Sequence, residues 1–225
     1  MNTLRTLRLL ALCAAAALLG ACATTSKPGY DYTNFRQSHP ASILLLPPVN
    51  DTNSVGASYS LLSQMTLPLA ESGYYVLPVS LVDETFRQNG YTNPAEIEGI
   101  PIDKLYKIFH ADAALYVHIK QFGTVYQLII SDTVVSAEAR LVDLRTGSVL
   151  WAGKASASSS EDHTNTGGGL AGLLLSAIVN QIVEATTDRS HDIAGVTSLR
   201  LLSAGQPAGM LYGPRSPKYQ AQQQP

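Results

Sequence analysis

From Leu115 onward the apolar residues change period, and that change decides what kind of fold the chain can adopt. Upstream they recur every three or four positions. Leu61, Leu62, Met65 and Leu69 mark a helix over about 55–72, and Ile102, Leu105, Ile108 and Phe109 mark another. At Leu115 they begin to alternate, with Leu115, Val117 and Ile119 on one face and Tyr116, His118 and Lys120 on the other. A spacing near 3.6 buries one stripe of a helix, whereas a spacing of two buries one face of a strand. The pattern predicts a sheet that crosses over through helices early and meanders late.

The remaining punctuation fills in the order. Ile43 to Leu46 is a short apolar run closed by Pro47-Pro48, which suits a buried strand and bars a helix from continuing. Pro68 should kink or shorten the 55–72 helix, and Gly73 offers it a C-terminal cap. Residues 74–77 are β-prone, and 81–88 form a helix stopped at Asn89-Gly90. Residues 91–101 are turn-rich. After the strand at 115, three more are predicted over about 124–131, 133–145 and 148–159, the last two joined at Thr146-Gly147. A closing helix over 169–187 carries Leu170, Leu173, Leu174, Ala177, Ile178 and Ile182 on one stripe. The order β-α-β-α-α-β-β-β-β-α describes a mixed α+β (α/β) domain, one mixed sheet covered by helices. That domain is placed at 39–200, after a tether over 22–38. A Pro/Gly/Gln-rich tail follows over 201–225 and packs locally through Met210, Leu211 and Tyr212.

Of the 225 residues, 45% are hydrophobic and only 14% charged, which supplies a packed core and excludes a disordered tail protein. The formal net charge of -2 argues against a nucleic-acid binder. The leader distorts these figures. Arg5 and Arg8 precede an unbroken apolar run of 11 residues, Leu9 to Leu19. Such a run is too short to span a bilayer but suits the apolar part of a secretory signal. Residues 1–21 are read as a signal peptide cut between Ala21 and Cys22. Its loss leaves 13 basic and 17 acidic residues, a net charge of -4. Cys13 goes with the leader, so Cys22 is the one cysteine of the mature chain. A disulfide scaffold, a cysteine-ligated metal and a cysteine nucleophile are thereby excluded for the mature domain.

Leu19-Gly20-Ala21-Cys22 resembles the bacterial lipobox, in which a peptidase cuts before a cysteine that carries fatty acyl chains. Each buried CH₂ contributes about 0.8 kcal/mol, so two or three chains hold a protein stably to a membrane. By the sorting pattern of such proteins, Ala23 after the cysteine implies the outer membrane.

The motifs that invite a catalytic reading do not hold together. Gly167, Gly169 and Gly172 satisfy G-x-G-x-x-G, but the preceding strand belongs to a meander and no Gly-Lys-Ser/Thr follows. Glu161, Asp162 and His163 are contiguous, and adjacent residues rarely converge on one ion. Ser190-His191-Asp192 spells a triad in sequence, whereas a triad must converge in space. Asp103, Asp112 and Asp143 lie where turns or caps explain them. No metal, cofactor or catalytic residue is assigned. Tyr116, His118 and Lys120 share a strand face and are the candidate partner-contact surface. The 11 tyrosines against 4 phenylalanines lean the same way.

Three stretches resemble a family of proteobacterial outer-membrane lipoproteins that includes a meningococcal vaccine-candidate antigen. They are Ile100 to Ile119, Leu141 to Gly153 and Met210 to Tyr219. More distantly, Ala111-Asp112 before a strand and the Asp143 to Gly147 hairpin resemble the CsgG/TolB amino-terminal-domain group. That resemblance implies an envelope assembly or transport accessory without catalysis. The chain has no evident pair of long amphipathic membrane hairpins, which argues against self-sufficient pore formation. The expected function is a non-enzymatic accessory in envelope assembly, secretion or transport. It would be anchored in the outer membrane by Cys22, with the domain in the periplasm or at the surface. Its partners would be the membrane through acyl chains, envelope proteins such as a CsgG-like lipoprotein, or copies of itself. The alternatives are a small-ligand-binding transport auxiliary and, behind it, a periplasmic hydrolase.

Overall fold

Strand β4, Ala113–Tyr126, organises the sheet through what pairs on each side of it. The computed structural model describes residues 30–126, 131–161 and 189–223. On one side of β4, β1 (Ser42–Leu45) lies parallel, with Ile43 opposite Ala113 and Leu45 opposite Leu115. The short β3 (Tyr75–Val76) lies parallel to β1 at that edge. On the other side, β5 (Ser131–Asp143) and then β6 (Val149–Ser158) follow antiparallel. The strand order is β3-β1-β4-β5-β6, a single mixed sheet flanked by helices, as the change of period predicts.

Pro47-Pro48 interrupts the pairing rather than ending it. Proline brings no N–H to a ladder, so the parallel pairing with β4 breaks there. It resumes at β2 (Val49–Asn50), opposite His118 and Ile119. The two strands expected at 115 and 124–131 are one strand up to Tyr126. The junction between them is a register shift between Ile119 and Gln121, followed by Gly123 at φ 120°. Both features bend the strand without unpairing it, and Gly123 stays opposite Val134.

The helices are α1 (Thr33–Ser38), α2 (Ala57–Glu71), α3 (Val79–Gln88), α4 (Pro94–Glu98), α5 (Ile102–Phe109), α6 (Arg189–Leu202) and α7 (Tyr219–Gln223). Helix α1 falls in the stretch read as tether and buries Phe35. The helix expected over 169–187 lies outside the described residues. Helix α6 packs against α2 and across β5 and β6. Beneath this pair lie Leu115, Val117, Ile119, Val135 and Leu141, all buried. On the opposite face, α3, α4 and α5 bring Val82, Phe86, Ile97 and Leu105 against Leu44, Leu46, Ala114, Tyr116 and Val142. Each fully buried Leu, Ile or Phe contributes about 1.5–3 kcal/mol, so these two layers hold the domain together. Among the described residues, no helix is long and apolar enough to cross a membrane.

Pro68 does not stop α2, which runs on to Glu71. A proline there deprives the Gln64 carbonyl, four residues back, of its helical N–H donor. The hydroxyl of Ser198 on α6 donates to that carbonyl at 3.0 Å, and Ser198 has no exposed surface. The proline and the serine thus form one unit across the helix pair.

The tail returns across the turn between α2 and β3. The Gly213 N–H donates to the Ser72 carbonyl at 2.8 Å, and the Arg215 N–H to the Gly73 carbonyl at 3.1 Å. Gly73 has φ 94°, and a Cβ there would lie 2.4 Å from the Ser216 nitrogen, so the approach requires glycine. Met210 is fully buried.

Ser198→Ala is expected to cost about 1–2 kcal/mol in urea unfolding by orphaning the Gln64 carbonyl. In a Pro68→Ala background the new N–H at position 68 takes that carbonyl, and the cost of Ser198→Ala should fall by more than half. Additive effects in the four-member cycle would show that the hydroxyl does not compensate the proline.

Candidate functional site: the open half of the sheet face

The sheet face that carries Tyr116 is covered only in part. Going along β4, Ala114 is fully buried under α3–α5 and Tyr116 is 5% exposed. The side chains of His118 and Lys120 are then 32% and 43% exposed, because the covering helices end. Register continues this face across the sheet. Arg140 stands opposite Tyr116 and Glu138 opposite His118 on β5, and Ala152 and Lys154 stand opposite those on β6. Tyr116, His118, Lys120, Glu138, Arg140 and Lys154 line an open concavity of about 560 Å³, with the small Ala152 and Gly153 in its lining.

One chain of charged contacts runs along its border. Asp51, just after β2, accepts from Lys120 Nζ at 2.7 Å and lies 3.7 Å from His118 Nδ1. The other ring nitrogen of His118, Nε2, lies 2.9 Å from Glu98 Oε2 at the end of α4. The second Glu98 oxygen accepts from Arg140 Nη2 at 2.8 Å. The Arg140 guanidinium is 4.5 Å from the centre of the Tyr116 ring. The sequence face Tyr116, His118 and Lys120 is therefore brought together, and each of its members has a partner. Asp51, Glu98 and Arg140 complete it. Arg140 was legible as an outward position of an alternating strand, but nothing in the spacing of Asp51 or Glu98 marks them.

The titration behaviour follows from these contacts. Partial burial works against ionising Glu98, but the hydrogen bonds from His118 and Arg140 outweigh it and hold its carboxyl below the usual range. The hydrogen bond from Lys120 lowers Asp51 and, reciprocally, raises Lys120. Burial raises the Tyr116 phenol. Solvent screens ion pairs this exposed, so the network orients side chains more than it stabilises the fold.

The other sequence candidates fall elsewhere. His191 lies in the seam between α6 and α2, with Nδ1 2.8 Å from Ser60 Oγ and Nε2 2.6 Å from the Gln64 amide nitrogen. It joins two helices through Ser60 and Gln64. Glu161 pairs with Arg200 at 2.6 Å. Asp162, His163 and the glycines at 167, 169 and 172 lie outside the described residues, as do Ala21 and Cys22. Asp103 pairs with Lys107 one turn along α5. Asp112 accepts the N–H groups of Ala41 and Ser42. Asp143 accepts those of Arg145 and Thr146. Among the described residues, no group of three or more His, Cys, Asp or Glu side chains is placed to hold a metal ion.

Residues 30–215 match the family model of the GNA1162-like lipoproteins. The chain belongs to that family. It is 46% identical over 202 residues to the lipoprotein NMB1124/NMB1162 of Neisseria meningitidis serogroup B, covering 90% of this chain and 93% of that one. The crystal structure of lipoprotein GNA1162 from Neisseria meningitidis is similar at a TM-score of 0.53 and 48% identity, covering 65% of this chain and all of the other. A PelC dodecamer from Paraburkholderia phytofirmans matches at a TM-score of 0.45 and 13% identity over 83% of this chain and 96% of that one, a likeness too loose to bear on assembly. A GNA1162-like lipoprotein is a membrane-anchored protein, and neither Neisseria relative carries the name of an enzyme.

The lowered carboxyls fix a pH dependence. Because Glu98 and Asp51 take up protons later in the folded chain than in the unfolded one, their contribution is complete above about pH 5 and is lost as pH falls through their lowered pKa values. Glu98→Gln should therefore flatten the loss of urea midpoint between about pH 6 and pH 3 relative to the wild type. Parallel midpoint curves for the two proteins would show that Glu98 is not held by His118 and Arg140.

Proposed function

We propose that this lipoprotein is a non-enzymatic accessory in envelope assembly, secretion or transport. Acyl chains on Cys22 hold it to the outer membrane, and it engages a protein partner through the open half of its sheet face. The observation that carries this reading is the face itself. His118, Lys120 and Arg140 are held in place by Asp51 and Glu98, and among the described residues no helix covers the sheet beneath them. A pre-oriented mixed-charge surface beside a tyrosine and an arginine suits protein recognition, where complementary charge sets specificity and register. Tethering adds to this, since confinement to a membrane raises the domain's effective concentration for partners there.

A second reading has a specific support. The concavity of about 560 Å³ falls within the size range of small-ligand sites. Its open mouth and charged border favour the protein partner over a small-ligand-binding transport auxiliary.

Cys22→Ala should move the chain from the salt-resistant membrane fraction to the soluble fraction. Persistence on membranes after a salt wash would contradict the lipid anchor. Separately, Lys154→Glu combined with Arg140→Glu should remove the partner proteins recovered by crosslinking and affinity capture from intact cells, while the variant remains on the membrane. Unchanged recovery would place the contact elsewhere, and a bound small molecule in the purified wild type that the variant lacks would favour the second reading.

A further inference from the structure

We infer that the end of the domain from which the tether leaves rests on an anionic phospholipid surface through Arg36, Arg215 and Lys218. This inference depends on the Cys22 anchor proposed above. Nine residue steps separate Cys22 from Asp31. Nine steps of chain cannot exceed roughly 30 Å. The start of α1 is thus held close to the headgroups, whichever way the rest of the domain turns.

The surface at that end has the chemistry to use this proximity. Arg36 is exposed on α1 and shares a small hollow with His39, Tyr212 and Tyr219. Arg215 and Lys218 are exposed on the tail, which the hydrogen bonds of Gly213 and Arg215 stitch to the turn between α2 and β3. The Arg215 guanidinium lies 5.3 Å from the centre of the Tyr75 ring, and Lys218 Nζ lies 5.3 Å from that of Tyr212. His39 Nδ1 is 3.0 Å from the Tyr219 hydroxyl, which ties the tail to α1.

Four of the 11 tyrosines belong to this end, Tyr32, Tyr75, Tyr212 and Tyr219, each half-buried or exposed. The open sheet face uses only Tyr116, so it does not account for them. Tyrosine suits a boundary between apolar and wet surroundings, with its ring in one and its hydroxyl in the other.

Two of the four acidic groups of the same end, Asp112 and Asp143, are engaged by neighbouring N–H and hydroxyl groups. Asp112 takes the N–H groups of Ala41 and Ser42 and lies 3.5 Å from Arg145. Asp143 accepts from Ser38, Arg145 and Thr146. Asp31 accepts from Thr33 and, with Glu71, is the exposed acidic counterweight. The outward charge is therefore weighted toward cations. Near an anionic leaflet each contributes about fivefold to association, and less at high salt.

The test uses the acylated full chain, with acylation verified by intact mass, on vesicles of phosphatidylethanolamine with phosphatidylglycerol. A nitroxide is placed on Gln37→Cys in α1 or on Thr124→Cys. Thr124 is eleven residues beyond Ala113 on β4, roughly 36 Å along the strand. Collision with an aqueous nickel chelate should be several-fold lower at position 37 than at 124. That difference should collapse on phosphatidylcholine vesicles and in the combined variant Arg36→Gln, Arg215→Gln, Lys218→Gln. An acylated, vesicle-bound chain whose two labels are equally accessible would overturn the docking and leave the anchor standing. Protection that survives in the combined variant would overturn the role of the three cations, and protection that appears only on adding envelope protein would assign the surface to a protein. A chain that is not acylated would overturn both the anchor and the docking.

Discussion

The fold depends on how β1 is locked to the start of β4. One carboxylate oxygen of Asp112 accepts the N–H groups of Ala41 and Ser42, each at 3.0 Å, and the Ser42 hydroxyl at 2.9 Å. The same hydroxyl accepts the Asp112 N–H at 3.0 Å. This reciprocal clamp sets Ile43 opposite Ala113. A slip of one residue would turn Leu44 and Leu46 away from α3–α5 and Ile43 and Leu45 away from α2 and α6. Parallel pairing also obliges the chain to cross over, and the crossovers supply α2 to α5.

The open face follows from a mismatch in length. The parallel partner β1 has four residues before Pro47-Pro48, and β2 adds two, whereas β4 has 14. The helices that cover the Tyr116 side, α3 to α5, all lie in the connection from β3 to β4 and cover the near part of β4. Beyond Tyr116 the sheet is continued by the two residues of β2 and, farther along, by the antiparallel strands β5 and β6. Their exposed positions carry Glu138, Arg140 and Lys154, which keep an uncovered sheet face soluble. Glu98 at the end of the covering layer grips His118 and Arg140, so the boundary between covered and open sheet is itself a charged contact.

Much of this was legible in the sequence. The alternation from Leu115 named the buried and outward faces of β4 residue by residue, and Thr146-Gly147 marked the β5–β6 hairpin. Three features were hidden for physical reasons. Gly123 reads as a turn, yet paired opposite Val134 on β5 it bends the strand without ending it. Helix α6 interrupts its buried apolar residues, Ile193, Ala194, Val196, Leu201 and Leu202, with Thr197 and Ser198, both fully buried. Its polar inward residues are there to bond carbonyls, as Thr197 does with Val135 at 3.1 Å and Ser198 with Gln64. Asp51 reaches His118 from just after β2 and Glu98 from the end of α4, and no sequence spacing encodes a contact made by tertiary packing.

We propose the exposed part of the sheet as the place where this lipoprotein meets its partner. Site-specific photocrosslinking in intact cells tests it most directly, with the reactive side chain at Lys154 on the open face and, for comparison, at the exposed Ser63 on α2. The account predicts a discrete envelope-protein adduct from position 154 and none of that mass from position 63. The same adduct from both positions, or from position 63 alone, would contradict it.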